Sequence, residues 1–443
     1  MTTPPPSAAL GTAQLTVGDA FSQMRMRRSH LIAGAVLFMT FVVEAWEQVG
    51  LVYVSDQLST DFHVGMAQVG TALGAVALGM VPGTLLWMLV IERIGRKRVS
   101  IISLLAYSAF ALASILVPTF SLFVLMRFLS GVAFGGVYAV TFPYFMEMLP
   151  TRWRGPGAVG LSIGFPVGTL LCIGTSHFLG GHGWRIVALV AALAGLWAIA
   201  VWRFVPESPY WLVKRGRIDE ARRVIAQFGI GLPAGTALVL DDDSTQVEVD
   251  SVARMRIAPL LTMVLVTAFT FSWAYWALQS WLPVLLQDKG LGLSDSLGFV
   301  ALSQLVAVPG YLLAAWATGR FGRRSVFVVF VIASVIGTLI FATADGTTQL
   351  YIGNFTLAFF SLGAWGIWNT WSGEVLPTRI RGVGYAASTA AILLAQSIAV
   401  PVIGLLMDHG VSTLLTIGSI AVFMVVALLS SIGLPETEGK ALR

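Results

Sequence analysis

The sequence predicts an all-α membrane protein, with twelve transmembrane helices in two pseudo-symmetric six-helix bundles. Three observations carry that prediction. The 443 residues are 56% hydrophobic and only 11% charged, with a mean hydropathy of +0.82, where soluble domains carry about 25% charged residues. The apolar residues gather into twelve stretches, many long enough for the ~20 helical residues that cross a ~30 Å hydrocarbon core. Three charged turns, finally, are written twice in the same order.

Residues 1–30 open with MTTPPPSAALGTAQ, low-complexity and polar with no apolar h-region. They read as a disordered cytoplasmic tail and not as a cleaved signal peptide. The first bundle, 31–205, holds apolar stretches at 31–54, 65–91, 99–118, 121–145, 156–180 and 185–205. A cytoplasmic connector, 206–256, begins PESPYWLVKRGRIDEARRVIAQFG. Within it Ile218 to Phe228 carries an apolar stripe opposite Arg and Glu, the pattern of a short interfacial helix. The DDD run at 241–243 reads as a solvated loop. The second bundle, 257–433, holds stretches at 257–282, 295–318, 325–343, 350–372, 383–406 and 413–433, and 434–443 is a second cytoplasmic tail.

Twelve crossings put both termini on one side, and the positive-inside rule selects the side. With the N-terminus in the cytoplasm, 24 of the 27 Lys and Arg residues fall on cytoplasmic segments, two lie outside (Arg185, Lys289), and Arg127 lies within a span. The chain is therefore expected as a multi-pass protein of the inner (plasma) membrane. Its net charge of +5 is a matter of topology, and nucleic acid is not an expected partner. The single cysteine, Cys172, excludes an intrachain disulfide and reads as a small core hydrophobe. There is no G-x-x-x-x-G-K-[ST] phosphate loop, no metal-ligand spacing and no nucleophile–base pair. No cofactor, metal or enzymatic activity is expected, and a monomer is the expected state.

Of the 22 acids only Glu44 and Glu47 lie well inside a span. With Arg127 they form the ionisable set within the membrane, where such residues by default mark a pathway or proton relay. Glu44 and Glu47 are three residues apart and share a helix face. Counting ~1.5 Å per residue from the outer ends of spans one and four places Glu47 and Arg127 at one depth, with Glu44 a turn lower. Three full charges are costly in low dielectric, so Arg127 is expected to pair with Glu47 while Glu44 holds the exchangeable proton, the two acids acting as a unit. Aromatic and amide side chains at mid-span form the expected substrate lining: Trp46, Tyr275, Trp276, Gln279, Gln304, Trp368, Asn369 and Gln396. Pockets of that composition hold flat, partly apolar ligands.

The repeated turns are EMLPTRWRG at 147–155 and EVLPTRIRG at 374–382, ERIGRKR at 92–98 and GRFGRRS at 319–325, and PES at 206–208 and PET at 435–437. They place acids and arginines at the cytoplasmic helix ends: Glu92, Arg93, Arg96, Glu147, Arg154, Glu207, Arg320, Glu374 and Arg381. Exposed ion pairs, worth ~0–1 kcal/mol each, suit a gate that must break in every cycle. Charge reversal at Arg154 is expected to bias the protein toward opening on the cytoplasmic side.

These turns resemble those of the major facilitator superfamily across essentially the whole chain beyond the tail, and PESPYWLVKRGR, RFLSGVAFGG and PETEGKAL resemble its sugar-porter and organic-ion branches. VEAWEQVG, VPGYLLAAW and SLGAWGIWNTWSGEVLPTRIRG are most similar to the niacin-transporter and aromatic acid–proton symporter group. The sequence departs from the family's loop-two pattern, with Met88 at the glycine position, Glu92 at the aspartate and Gly319 in place of the second acid. The resemblance implies proton coupling through Glu47 and Arg127 and uptake of a small aromatic or heteroaromatic carboxylate. An exporter of organic cations or drugs that exchanges them for protons is the alternative, and charge separates the two. The set of two carboxylates and one arginine goes from −1 to zero on taking a proton, so an anion binds best afterwards and a cation, over the aromatic faces, before.

Overall fold

Residues 14–233, 236–240, 251–376 and 380–437 are described in a computed structural model of the protein, without the side chains of 155, 251–256, 293–294 and 381–382. Among them are twelve segments long and apolar enough to span a bilayer. Spans 1–6 are Arg28–Phe62, Met66–Ile94, Arg96–Leu116, Phe120–Glu147, Pro156–His182 and Trp184–Phe204. Spans 7–12 are Ile257–Asp288, Asp295–Phe321, Arg323–Ala342, Thr347–Glu374, Val383–Asp408 and Thr413–Ile432.

Their packing repeats. In the first half span 2 lies against span 4, span 3 against spans 4 and 6, and span 1 against span 5. In the second half span 8 lies against span 10, span 9 against spans 10 and 12, and span 7 against span 11. Adding six to each number turns one set into the other. The halves meet where span 2 packs on span 11 and span 5 on span 8, a pair of contacts exchanged by the same operation. Parallel repeats of this kind are what the duplicated turns predict.

In lipid, helices are held together mainly by close backbone packing, and the inter-half contact shows it. A Cβ on Gly74 of span 2 would stand 2.6 Å from the Ser397 carbonyl oxygen, and one on Gly404 of span 11 would clash with that of Met66. Both contacts lie toward the membrane face opposite the termini, here the far face. There the Asp408 carboxylate accepts from the backbone N–H groups of Met66 and Ala67, each at 2.8 Å, satisfying two donors that the start of span 2 would otherwise leave unpaired. The halves are thus clasped on the far face. On the opposite, basic face every ion pair seen among the described residues stays within one half.

Two expectations are corrected. The tail expected to be disordered to residue 30 is folded from Gln14 onward. Strand β1 (Gln14–Thr16) pairs in parallel with β2 (Ala237–Val239) of the connector. Helix α1 (Val17–Ser22) buries Val17 and Phe21. The connector supplies two further helices, α2 (Pro209–Lys214) and α3 (Ile218–Gln227). The helix expected to lie in the membrane interface is α3, but its Ala221 and Ile225 are buried in one apolar cluster with Val17, Phe21 and Met24. A single turn of helix and a three-residue strand carry no periodic signal, and their partner lies some 220 residues away. The DDD run falls outside the described residues.

Candidate functional site

The first cluster sits inside the first half. Arg127 Nη1 of span 4 lies 2.5 Å from Glu47 Oε1 of span 1, and the Tyr107 hydroxyl of span 3 donates to Glu47 Oε2. Glu47, Arg127 and Tyr107 are 2%, 6% and 1% exposed. A pocket of about 10 Å³ beside them is lined by Gly50, Ser114 and Ala188, space for one water at most. Desolvating two charges offsets most of their mutual attraction, so stability gives little reason to place such a pair here.

Glu44, one turn nearer the basic face, is 5% exposed and makes no hydrogen bond or ion pair among the described residues. It lies within electrostatic range of Tyr138 on span 4 and of Tyr385 on span 11, in the other half. The two acids share a helix face but not partners: Glu47 is tied into its own half, while Glu44 lies where the halves meet. Arg127 pairs with Glu47 and leaves Glu44 a turn lower without it, the register the sequence predicts; that Glu44 adjoins a residue of the other half is new.

Of the expected substrate lining, Trp276 and Tyr275 lie at the contact between the halves, whereas Trp368 packs on Phe327 and Trp371 within the second half. Trp276 of span 7 meets Phe165 of span 5 edge-on at 6.1 Å. Tyr275 packs against Trp276 at 5.3 Å and against Trp365 at 5.2 Å, with Tyr53 of span 1 and Tyr311 of span 8 in its neighbourhood. Trp46 packs on the apolar cluster that draws on both halves. Gln304 and Gln396 are buried, whereas Asn369 is exposed. Several polar atoms of this set are buried without a protein partner: Nε1 of Trp46, Trp276 and Trp368, the Tyr53 and Tyr275 hydroxyls, Gln279 Nε2 and Gln304 Oε1. Apart from Gln304 Oε1, all can donate a hydrogen bond. Unpaired buried polar groups are rare in native proteins and call for an explanation; a polar ligand supplies one.

The charged residues of the basic face are organised differently from expectation. Glu92 binds Lys214 at 2.7 Å and lies 3.5 Å from Arg96, which also faces Glu147 at 3.5 Å. Glu207 caps a helix: its Oε1 accepts from the backbone N–H groups of Arg96 and Lys97 at 2.9 and 3.2 Å. Glu436 does the same for Arg323 and Arg324 at 2.8 and 3.0 Å, and Arg323 pairs with Glu374 at 2.8 Å. The carboxylates crowd Gly95 and Gly322, whose φ values of +96° and +88° already favour glycine. Arg154 donates to the Tyr210 hydroxyl at 2.6 Å. Arg93 and Arg320 are exposed and form no ion pair among the described residues, with Arg320 over the rings of Trp316 and Phe321. The Arg381 side chain lies outside the described residues. Each of these contacts among the described residues lies within one bundle or between it and the connector. Glu207→Gln is expected to weaken the cap on span 3 by about 1 kcal/mol, read as a lower melting temperature of purified protein; an unchanged melting temperature would refute the cap.

Arg323 and Glu436 escaped the sequence reading although the repeat offsets from Arg96 and Glu207 point straight at them. Tyr107, Tyr53 and Tyr385 left no such trace, because a single tyrosine in an apolar run has the pattern of ordinary packing. Asp408 reads as a loop acid until span 2 is seen beneath it.

Comparison with known proteins agrees with this architecture. The sequence matches the Major Facilitator Superfamily over residues 31–389. It is 30% identical over 424 residues to the niacin transporter NiaP of Acinetobacter baylyi, covering 93% of this chain and 92% of that protein. With the 4-hydroxybenzoate transporter PcaK of the same organism it shares 25% identity over 84% of this chain and 83% of the relative. Among solved structures, an inward open conformation of the xylose transporter XylE from E. coli superposes with a TM-score of 0.75 at 18% identity, over 93% of this chain and 98% of that one.

Proposed function

The chain belongs to the Major Facilitator Superfamily and is a membrane transporter, and from that premise we propose that it takes up a small aromatic or heteroaromatic carboxylate together with a proton. The observation that carries the reading is Glu47, buried against Arg127 and Tyr107, with Glu44 unpaired one turn away. Glu47 and Arg127 couple the proton, and Glu44 conveys it toward the space between the halves. Protonation neutralises the net charge of the set, so an anion binds best in the protonated state. The donor-rich polar atoms around Tyr275, Trp276 and Gln279 match a carboxylate, and the surrounding rings match a flat body. The names of the relatives point to the same class.

The basic face is cytoplasmic, with both termini, and the membrane is the plasma membrane. The far-face clasp of spans 2 and 11 must then open to admit substrate from outside, and the charged networks keep each bundle rigid as the two rock. Gln279→Leu, which removes the unpartnered Nε2 donor, is expected to raise KM about tenfold, the value of one buried hydrogen bond of about 1.4 kcal/mol, with melting temperature unchanged. An unchanged KM would remove Gln279 from the site.

Reconstituted vesicles with a panel of pyridine and benzene carboxylates, organic cations and sugars test the whole reading. Carboxylate accumulation is expected to rise as the external solution is acidified. A proton antiporter exporting organic cations is the competing reading, favoured by the unpaired Glu44 carboxylate. It would show the opposite sign, a cation leaving as protons enter.

A further inference from the structure

We infer that Tyr107 is a positioning residue for proton coupling, holding the second oxygen of Glu47 and thereby setting the pH at which the transporter loads its proton. The inference rests on the proposed coupling role of Glu47 and extends it to a residue on a third helix.

The geometry is specific. Glu47 Oε1 is taken by Arg127 and Oε2 by the Tyr107 hydroxyl, so the carboxylate is held from spans 3 and 4 at once. Edge-on contact with Phe134, centroids 5.0 Å apart, steadies the Tyr107 ring. Its hydroxyl has a second acceptor within reach, the Ala191 carbonyl oxygen of span 6 at 3.5 Å. When Glu47 takes a proton it needs the tyrosine's hydrogen less, and the hydroxyl can turn toward Ala191 without being left unpaired. Tyr107 thus has one arrangement for the carboxylate and another for the acid.

Other groups face the same site. Arg127 approaches from span 4, and Cys172 of span 5 lies nearby, its Sγ against the Val49 and Gly50 carbonyl oxygens of span 1. Glu44 lies one turn below on the same helix. The span 6 residues that line the pocket, Val187, Ala188 and Ala191, carry no titratable side chain. Of these neighbours only Arg127 and Tyr107 donate to Glu47 among the described residues. Removing the tyrosine's donor leaves the carboxylate less well held and the proton better held, because a hydrogen bond to the charged form favours that form.

The experiment is gradient-driven uptake against pH in vesicles, with substrate counterflow measured alongside. Tyr107→Phe is expected to move the midpoint of the pH profile about one unit toward alkaline values, or tenfold in proton concentration. Replacing Tyr107 by a difluorotyrosine, a stronger donor of nearly the same shape, is expected to move it toward acid. In a Glu47→Gln background Tyr107→Phe is expected to add less than about a twofold effect on counterflow, since the pair would already be broken. An unmoved midpoint in folded Tyr107→Phe, shifts of the same sign for both replacements, or equal effects in both backgrounds would each overturn the inference. If Tyr107→Phe does not fold, the difluorotyrosine shift alone decides. Failure of the underlying reading looks different: Glu47→Gln alone would still accumulate substrate against its gradient.

Discussion

Glu47→Gln is expected to abolish accumulation driven by a pH gradient while leaving counterflow of substrate across the same membrane measurable. One coupled proton lets a gradient of one pH unit support about tenfold accumulation, since tenfold and 1.4 kcal/mol are equivalent; without the titrating carboxylate that ratio falls to one. The change also strands the Arg127 guanidinium, which is 6% exposed, and losing one partner of a buried pair costs about 3–5 kcal/mol. Lost transport could therefore be lost fold. The double variant Glu47→Leu with Arg127→Met separates the two, because apolar replacement of a buried pair is often neutral or stabilising. It is expected to be as stable as the wild type and to accumulate nothing. Normal accumulation by a stable double variant would remove the coupling role from this pair.

Gly74→Val is expected to hold the far face open and to cut uptake by more than about tenfold. The first added carbon would meet the Ser397 carbonyl oxygen at 2.6 Å, and backbone there has no rotamer to move away with. Overpacking of that kind costs about 1–3 kcal/mol where the clash must be absorbed. Parting spans 2 and 11 on the far face relieves it, so the cost falls mainly on the clasped state. About 1.4 kcal/mol against one of two states shifts their ratio tenfold. A cysteine at Ser397 in a Cys172→Ser background reads the shift, as faster labelling by an impermeant maleimide added outside. Gly160→Ala is the control, since a Cβ there meets nothing within 4 Å. Equal labelling in the two variants would mean that the clasp does not govern access.

The pairing of Glu47 with Arg127 was legible because only three ionisable residues lie well inside spans and the helical rise puts two of them level. Glu44 was legible as an intramembrane acid a turn below that pair, but its neighbours in the other half were not, because they lie on span 11, some 340 residues away. The basic-face residues were legible as a repeated set. Their roles were not, since Glu207 and Glu436 bind the backbone N–H groups of the helices that begin at Arg96 and Arg323, and backbone donors have no letter in a sequence.

The sequence by itself determined how many times the chain spans the membrane, that the spans form two matched halves, and which charges enter the membrane. Those properties follow from transfer free energy summed along the chain and from repetition, both of which are local. Only the tertiary structure decided which neighbours each acid meets, that Tyr107 completes the hold on Glu47, and that Asp408 clasps the far face. Those depend on rotation about helix axes and on distances between segments far apart in the chain, set by glycine contacts of a few ångströms that composition and periodicity do not encode.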